Sequence, residues 1–212
     1  MSRVGIIGSG HIGGTLARLL VDRGHEVAIA NSRGPQTLEG LVAELGDRAL
    51  AGTVEEVAEL GEIIVVSTPL GAYDELPADA LAGKTVIDTG NYYPGRDGQI
   101  PELDRDETTS SELLAGRLAD ATVVKAFNTM QSATLASQGR PDAPEEDRLV
   151  LFIAGDDAAA KRTVVELISE LGFAAIDTGT LAAGGRRQQP DGAVYGAEMK
   201  PAQARAALAG GG

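Results

Sequence analysis

The chain has 212 residues, enough for one sizeable core or for a domain with a small appendage. Its 18 Lys and Arg stand against 31 Asp and Glu, a formal net charge of −13 that repels phosphate backbones and argues against nucleic acid as a partner. Lack of cysteine excludes disulfides, thiolate nucleophiles and thiolate metal sites, and no apolar run nears the ~20 residues of a spanning helix, so a metal-free, cytoplasmic, membrane-free protein is expected.

The first apolar run, Arg3 to Ile7, stops at Gly8, too early for a secretory leader, and reads as a strand. Ile12, Leu16, Leu19 and Leu20 then recur at helical spacing until Gly24. "HEVAIA" predicts the second strand, and Pro35 sits in the first turn of a helix running to Leu45. Thr53 and Glu56 have capping-box spacing at the head of another helix. "EIIVVS" and "TVIDT" are continuous apolar runs of the kind buried on both faces of a parallel sheet. A Pro/Gly/Asp-rich loop from Tyr92 to Asp106 is followed by a helix, "SSELLAGRLA", and a strand, "TVVKAF". From Arg140 the character changes: a charged loop leads to "LVLFIAG", a helix from about Asp157 to Leu171, and "FAAIDTG". "GGRRQQPDGAVYG" reads as irregular, and Pro201 opens a short last helix ending in glycines expected to fray. Strands alternating with helices at this pace predict a doubly wound parallel sheet, a Rossmann α/β domain over residues 1–139, with a small C-terminal α/β extension over 140–212 that serves substrate binding or dimerisation.

Gly8-Ser9-Gly10-His11-Ile12-Gly13 is G-x-G-x-x-G between a predicted strand and a predicted helix. The first glycine allows the tight turn, the second lets pyrophosphate approach the backbone, the third lets helix pack on strand, and the helix N-terminus faces the anion. The alternative is a packing turn without a ligand; position, spacing and the following strand favour a dinucleotide. An NAD site presents Asp or Glu about 20 residues on, at the end of the second strand. Asn31-Ser32-Arg33 stands there instead. A carboxylate would repel a 2′-phosphate, whereas Ser32 can donate to it and Arg33 can pair with it, so the cofactor is read as NADP(H), with Thr37 as a further hydroxyl contact.

In an open α/β sheet the ligand crevice lies beyond the strand ends at the switch point. Here that crevice would comprise Gly8 to Gly13, Ser67 to Leu70, Thr89 to Tyr93 and Lys125 to Met130. Ser67, Thr68, Pro69 and Ala126 are assigned to the cofactor, and Asn91, Tyr92, Lys125 and Asn128 to the substrate. Few residues could move a proton. His11 is read as a cofactor-loop residue, His25 as an exposed turn residue, and Tyr92, Tyr93, Tyr195 and Lys125 as weaker donor candidates; Lys125 could equally bind an anionic substrate group or pair with an acid, general-acid duty being ranked last. That scarcity fits hydride passing directly between two stacked redox rings, where catalysis is mainly orientation.

The stretches "GSGHIGGTLARLLVDRGHEVAIANSRGP", "STP", "VIDTGNYY", "VVKAFNT" and "FIAGDDAAAKRTVVELISELGFAAIDTGTLAAGG" resemble the NADP-dependent oxidoreductases typified by F420-dependent NADP reductase, over about Arg3 to Gly185. The resemblance implies a small cytoplasmic homodimer that binds NADP on the glycine loop, with the 2′-phosphate at Ser32 and Arg33 and the nicotinamide near Ser67 to Pro69. It also implies coenzyme F420 as the redox partner, its deazaflavin ring lying over the nicotinamide in a cleft closed by the C-terminal unit. The "GGRRQQPDGAVYG" segment departs from the archaeal pattern and looks like a bacterial subgroup, in which Arg186 and Arg187 either hold an anionic tail or are simply solvated. A flavin or ferric reductase, a small imine or carbonyl reductase, and a non-catalytic NADP(H) sensor are the other functions weighed.

Overall fold

A computed structural model describes residues 1–210; the last two of the terminal glycines expected to fray, at 211 and 212, lie outside the described residues. In chain order the elements are β1 (Arg3–Ile7), α1 (His11–Asp22), β2 (Glu26–Ala30), α2 (Glu39–Leu45), β3 (Ala49–Ala51), α3 (Val54–Leu60), β4 (Ile63–Val66), α4 (Ala78–Leu81) and β5 (Thr85–Asp88). They continue with α5 (Pro94–Asp97), α6 (Pro101–Asp104), α7 (Ser110–Arg117), β6 (Thr122–Ala126), α8 (Ser132–Ser137), β7 (Val150–Gly155), α9 (Ala158–Glu170), β8 (Ala174–Asp177), α10 (Ala183–Gln188) and α11 (Pro201–Gly210). One eight-stranded sheet runs in the order β3-β2-β1-β4-β5-β6-β7-β8. Every neighbouring pair is parallel except β6 with β7. The order reverses between β1 and β4, which opens the crevice at their carboxyl ends.

The strands are apolar without alternation because both faces are covered. In β4, Ile63 and Val65 face one cluster with Leu16 and Leu20 of α1, while Ile64 and Val66 face the other with Val57 of α3 and Leu114 of α7. Thr53 and Thr109 each form a full capping box, with Glu56 and Glu112, at the starts of α3 and α7.

After residue 139 the chain adds β7 and β8 to the same sheet, and Leu151, Ile153, Val164 and Ile168 share a core with Leu16 and Val65. Pairing β7 antiparallel to β6 reverses the direction of this last unit. A third cluster seats Ala204 of α11 on Phe152 and Ile176.

Some elements differ from the sequence reading. The three-residue edge strand β3 and the six-residue α8 lack a run long enough to show a period. The loop of residues 92–106 holds two single turns of helix, each with a proline at its start, and "AGGRRQ" is helical rather than irregular. His25 is 3% exposed, not a solvated turn residue: its Nδ1 accepts the Ser2 N–H at 3.2 Å and its Nε2 meets Glu170 Oε2 at 2.7 Å, tying the start of β2 to the end of α9.

Candidate functional site

The glycine loop is built by contacts that exclude a side chain. Gly8 has φ +110°, and a Cβ on it would lie 2.2 Å from the Ser67 carbonyl oxygen; a Cβ on Gly13 would lie 1.9 Å from the Gly8 carbonyl oxygen. At Gly10, by contrast, a Cβ would meet nothing within 4 Å. That open ground lies at the head of α1, whose N-cap is Gly10 itself, with no side-chain cap and no acidic residue in the first turn. Free N–H groups and the helix dipole therefore face open space, the arrangement that holds a pyrophosphate.

At the end of β2, Asn31 is held by its neighbours. Its Nδ2 donates to Ser9 Oγ at 3.1 Å and to Thr37 Oγ1 at 3.0 Å, and its Oδ1 accepts the Arg33 N–H at 2.9 Å. This Asx turn fixes the Ser32-Arg33 loop against the glycine loop. Ser32 and Arg33 are exposed, and among the described residues the Arg33 guanidinium has no ion-pair partner. They border a cleft of about 520 Å³ that runs along Gly8 to Gly10 to Ser67, Thr68 and Pro69. On the other flank Arg33, Thr37, His11 and Ser9 border a second space of about 460 Å³; Arg18, also there, is already paired with Glu44. The Thr68 hydroxyl oxygen is buried without a partner at the far end of this run. An open helix N-terminus, a free guanidinium beside hydroxyls and the unpaired Thr68 hydroxyl all fit a 2′-phosphorylated dinucleotide.

Beyond Pro69 the cleft divides into two adjoining chambers of about 220 and 380 Å³, which share Ile12, Thr89, Asn91 and Tyr93. Asn91 and Asn128 bond reciprocally: Asn128 Nδ2 donates to Asn91 Oδ1 at 3.0 Å and Asn91 Nδ2 donates to the Asn128 carbonyl at 2.9 Å. Asn128 also donates to the Gln188 carbonyl of α10 at 2.8 Å, leaving its own Oδ1 buried and unpartnered. The residue before it, Phe127, is buried at φ +62°, a left-handed conformation that turns the chain out of β6 and is costly for a bulky residue. Tyr93 and Tyr195 share a short hydroxyl–hydroxyl hydrogen bond across the larger chamber. Burial, and then the bond to Tyr93, push the Tyr195 phenol up to about 12. Arg96 closes the smaller chamber. No Asp or Glu among the described residues lines either one.

Three expected contacts move elsewhere. Lys125 is fully buried: its Nζ donates to the Gly90 carbonyl at 2.8 Å and to Ser110 and Ser111 at 3.3 and 3.1 Å, and lies 3.7 Å from Asp88. Burial lowers its pKa, against the raising effect of Asp88. It braces the crevice from behind and lines neither chamber. Ala126 is sealed in the core on the same strand. Tyr92 turns away from the cleft, where its hydroxyl donates to Asp104 at 2.7 Å and accepts the Ile100 N–H at 2.9 Å. Its neighbour Tyr93 takes the cleft position, and Arg96 was hidden in a loop whose composition marks only turns. Arg186 is tied to Asp106 at 2.9 Å, and Arg187 is exposed.

The family described as NADP oxidoreductase coenzyme F420-dependent matches residues 3–92. Among curated proteins, the rat metalloreductase STEAP3 is 33% identical over 182 residues, covering 85% of this chain and 34% of its own, so the chain spans about a third of that relative. Among solved structures, a hypothetical protein of Sinorhizobium meliloti is 32% identical, with a TM-score of 0.82 over 94% of this chain and 96% of that one. A provisional F420-dependent NADP reductase of Arthrobacter sp. FB24 is 30% identical, with a TM-score of 0.71 over 87% and 88%.

Proposed function

The chain belongs to the coenzyme F420-dependent NADP oxidoreductase family, and we propose that it exchanges a hydride between NADPH and the deazaflavin ring of coenzyme F420. One observation carries the choice of a ring acceptor: beyond Pro69 the chambers offer amides, hydroxyls, aromatic faces and the Arg96 guanidinium but no carboxylate, the His11 imidazole sits at the cofactor end in the glycine loop, and the Tyr195 phenol, at about 12, is far from the near-neutral pKa of an efficient general acid. Reduction of a carbonyl or imine needs a proton delivered in step; ring-to-ring transfer needs alignment and exclusion of water. NADPH supplies the hydride when bound.

The protein's part is positioning. In this reading Gly8, Gly10 and the head of α1 hold the pyrophosphate, with Ser9, His11, Ile12 and Gly13 completing the loop. Asn31 sets Ser32, Arg33 and Thr37 around the 2′-phosphate. Ser67, Thr68 and Pro69 support the nicotinamide, and the locked pair Asn91 and Asn128 supports the acceptor. Residues 140–212 form the unit that closes the acceptor cleft, through Tyr195 and Gly196, in a cytoplasmic homodimer. A flavin, or through flavin a ferric species, is the second reading, and the likeness to STEAP3, a metalloreductase, favours a metal as the final acceptor in it.

The test is to mix the protein with NADPH and oxidised F420, follow loss of deazaflavin absorbance, and run FMN in parallel. Rapid bleaching of F420 is expected. Reduction of FMN alone would move the assignment to flavin, and tight NADPH binding with no turnover on either would favour a sensor.

A further inference from the structure

Arg96 is held in a fixed pose by three separate contacts. Its Nε and Nη2 donate to the two carboxylate oxygens of Asp97 at 2.8 and 2.9 Å, its Nη2 also donates to the Asn91 carbonyl at 2.6 Å, and its guanidinium lies 5.1 Å from the centre of the Tyr93 ring. The partner carboxylate is 1% exposed and also accepts the Tyr93 N–H at 2.9 Å, whereas Arg96 is 48% exposed. Burial would raise the Asp97 carboxyl, but the hydrogen bonds from Arg96 and from the Tyr93 backbone outweigh it and keep the acid ionised. One edge of the guanidinium is thus spent on anchoring, while Nη1 makes no hydrogen bond to the described residues and the group borders the smaller chamber. In a protein of net charge −13, Arg96 is the one permanent cation on the walls of either chamber among the described residues.

We propose that Arg96 is a catalytic residue that donates from Nη1 to the acceptor as it is reduced, and that it selects acceptors which become anionic on taking a hydride: tricyclic rings with a pyrimidinedione edge. The inference rests on the ring-to-ring reading above. In that step the C4–H bond of the dihydronicotinamide breaks and its hydrogen and electron pair form a new bond on the central ring of the acceptor. The nicotinamide is oxidised to the pyridinium, the acceptor is reduced, and the negative charge settles on its pyrimidinedione oxygen and nitrogen. The remaining proton joins afterwards from water. Among the described residues no carboxyl group lines either chamber, and His11, which borders the smaller one, belongs to the glycine loop at the cofactor end, so the rigid guanidinium is the permanent cation able to stabilise that charge. Anchoring by Asp97 means that no reorganisation is needed as the charge develops.

The test compares two kinds of acceptor. F420 and FMN gain negative charge on their pyrimidinedione edge, whereas the N-methylphenazinium cation becomes neutral, its uncatalysed reaction with NADPH being subtracted. Arg96→Gln is expected to lower kcat with the pyrimidinedione acceptors by about 10- to 100-fold, somewhat less than loss of a full oxyanion donor because Asp97 shares the charge. The N-methylphenazinium rate should not fall, since that acceptor gains no negative charge, and the ratio of the two rates is the readout. Arg96→Lys should restore part of the lost rate. The double variant R96Q/D97N, which leaves no unpaired carboxylate behind, should show the same acceptor selectivity and covers the case in which the single variant folds poorly. Equal losses on both kinds of acceptor, or no loss on either, would overturn the proposal and make Arg96 a brace for the Asn91–Tyr93 loop or a bystander. If the wild-type protein reduces neither F420 nor FMN, the ring-to-ring reading fails first and takes this inference with it.

Discussion

Lys125 and Asp88 stand opposite each other in the β5–β6 register and together hold both polar groups of Gly90: Asp88 Oδ1 accepts its N–H at 2.7 Å, and Lys125 Nζ donates to its carbonyl at 2.8 Å. Tyr73 at 3.0 Å and Ser111 at 2.6 Å complete the shell of Asp88. The clamp fixes Thr89 and Asn91, the residues on either side of Gly90, on the cleft wall. Lys125→Met removes the cation and strands a fully buried carboxylate, so it should cost about 3–5 kcal/mol. The double variant K125M/D88N should recover part of that loss, because no uncompensated charge remains. Chemical denaturation of the three proteins checks both statements.

The glycine loop separates folding from binding. Gly13→Ala drives a Cβ to 1.9 Å from the Gly8 carbonyl oxygen and should destabilise the fold by about 3 kcal/mol or more. Gly10→Ala meets nothing within 4 Å and loses only the preference for glycine over alanine at an N-cap, so it should cost no more than about 1 kcal/mol. The same methyl group stands where the pyrophosphate must approach, so NADPH affinity should fall by about tenfold or more. Thermal melting alongside cofactor titration reads both variants.

Preference for NADPH should lie in the loop after β2. Arg33→Ala should weaken NADPH by about 10- to 100-fold, the worth of a charge-assisted hydrogen bond, and leave NADH almost unchanged. Asn31→Asp removes the Nδ2 donors to Ser9 and Thr37 and adds a repelling carboxylate, so it should lower NADPH affinity and raise that for NADH. An unchanged NADPH to NADH ratio in Arg33→Ala would contradict the 2′-phosphate assignment.

Tyrosines give the chain an alkaline limit. Burial and the charge of Asp88 raise Tyr73 well above its ordinary value, burial and the bond to Asp104 raise Tyr92, and Tyr195 stands at about 12. A phenol raised above its unfolded value of about 10 binds its proton more tightly when folded. Its contribution is complete below that pH and is lost as pH climbs towards the folded value. Stability should therefore fall between pH ~10 and ~12, and tyrosinate absorbance should rise later in the native protein than in denaturant.

Much of the fold was legible because the chain carries long, consistent signals. β1, α1, β2 and the glycine loop combine a continuous apolar run, helical spacing and a motif whose geometry forbids side chains at Gly8 and Gly13. β3 was silent because three residues at a sheet edge show no period. The site was less legible for another reason. A position at a strand's end predicts that a residue is near the crevice but not which way it points: Lys125 and Ala126 turn into the core, and Tyr92 and Tyr93 point to opposite sides of one loop. His25 was misread because its partners, Ser2 and Glu170, are 23 and 145 residues away. Arg96 acquires its meaning only from Asp97, Asn91 and Tyr93 folding around it.

Isotope tracing distinguishes direct transfer between the two rings from any route through solvent. NADPH carrying deuterium at the transferred position of C4 would be incubated with the protein and oxidised F420 in ordinary water, and the reduced deazaflavin examined by mass spectrometry and proton NMR. One deuterium on the central ring carbon of the product is the predicted result, because the carbon-bound hydrogen does not exchange with solvent. Reduced F420 without deuterium would place a solvent-exchanging intermediary between the rings, and the absence of reduction with NADPH bound would remove the deazaflavin from the cleft.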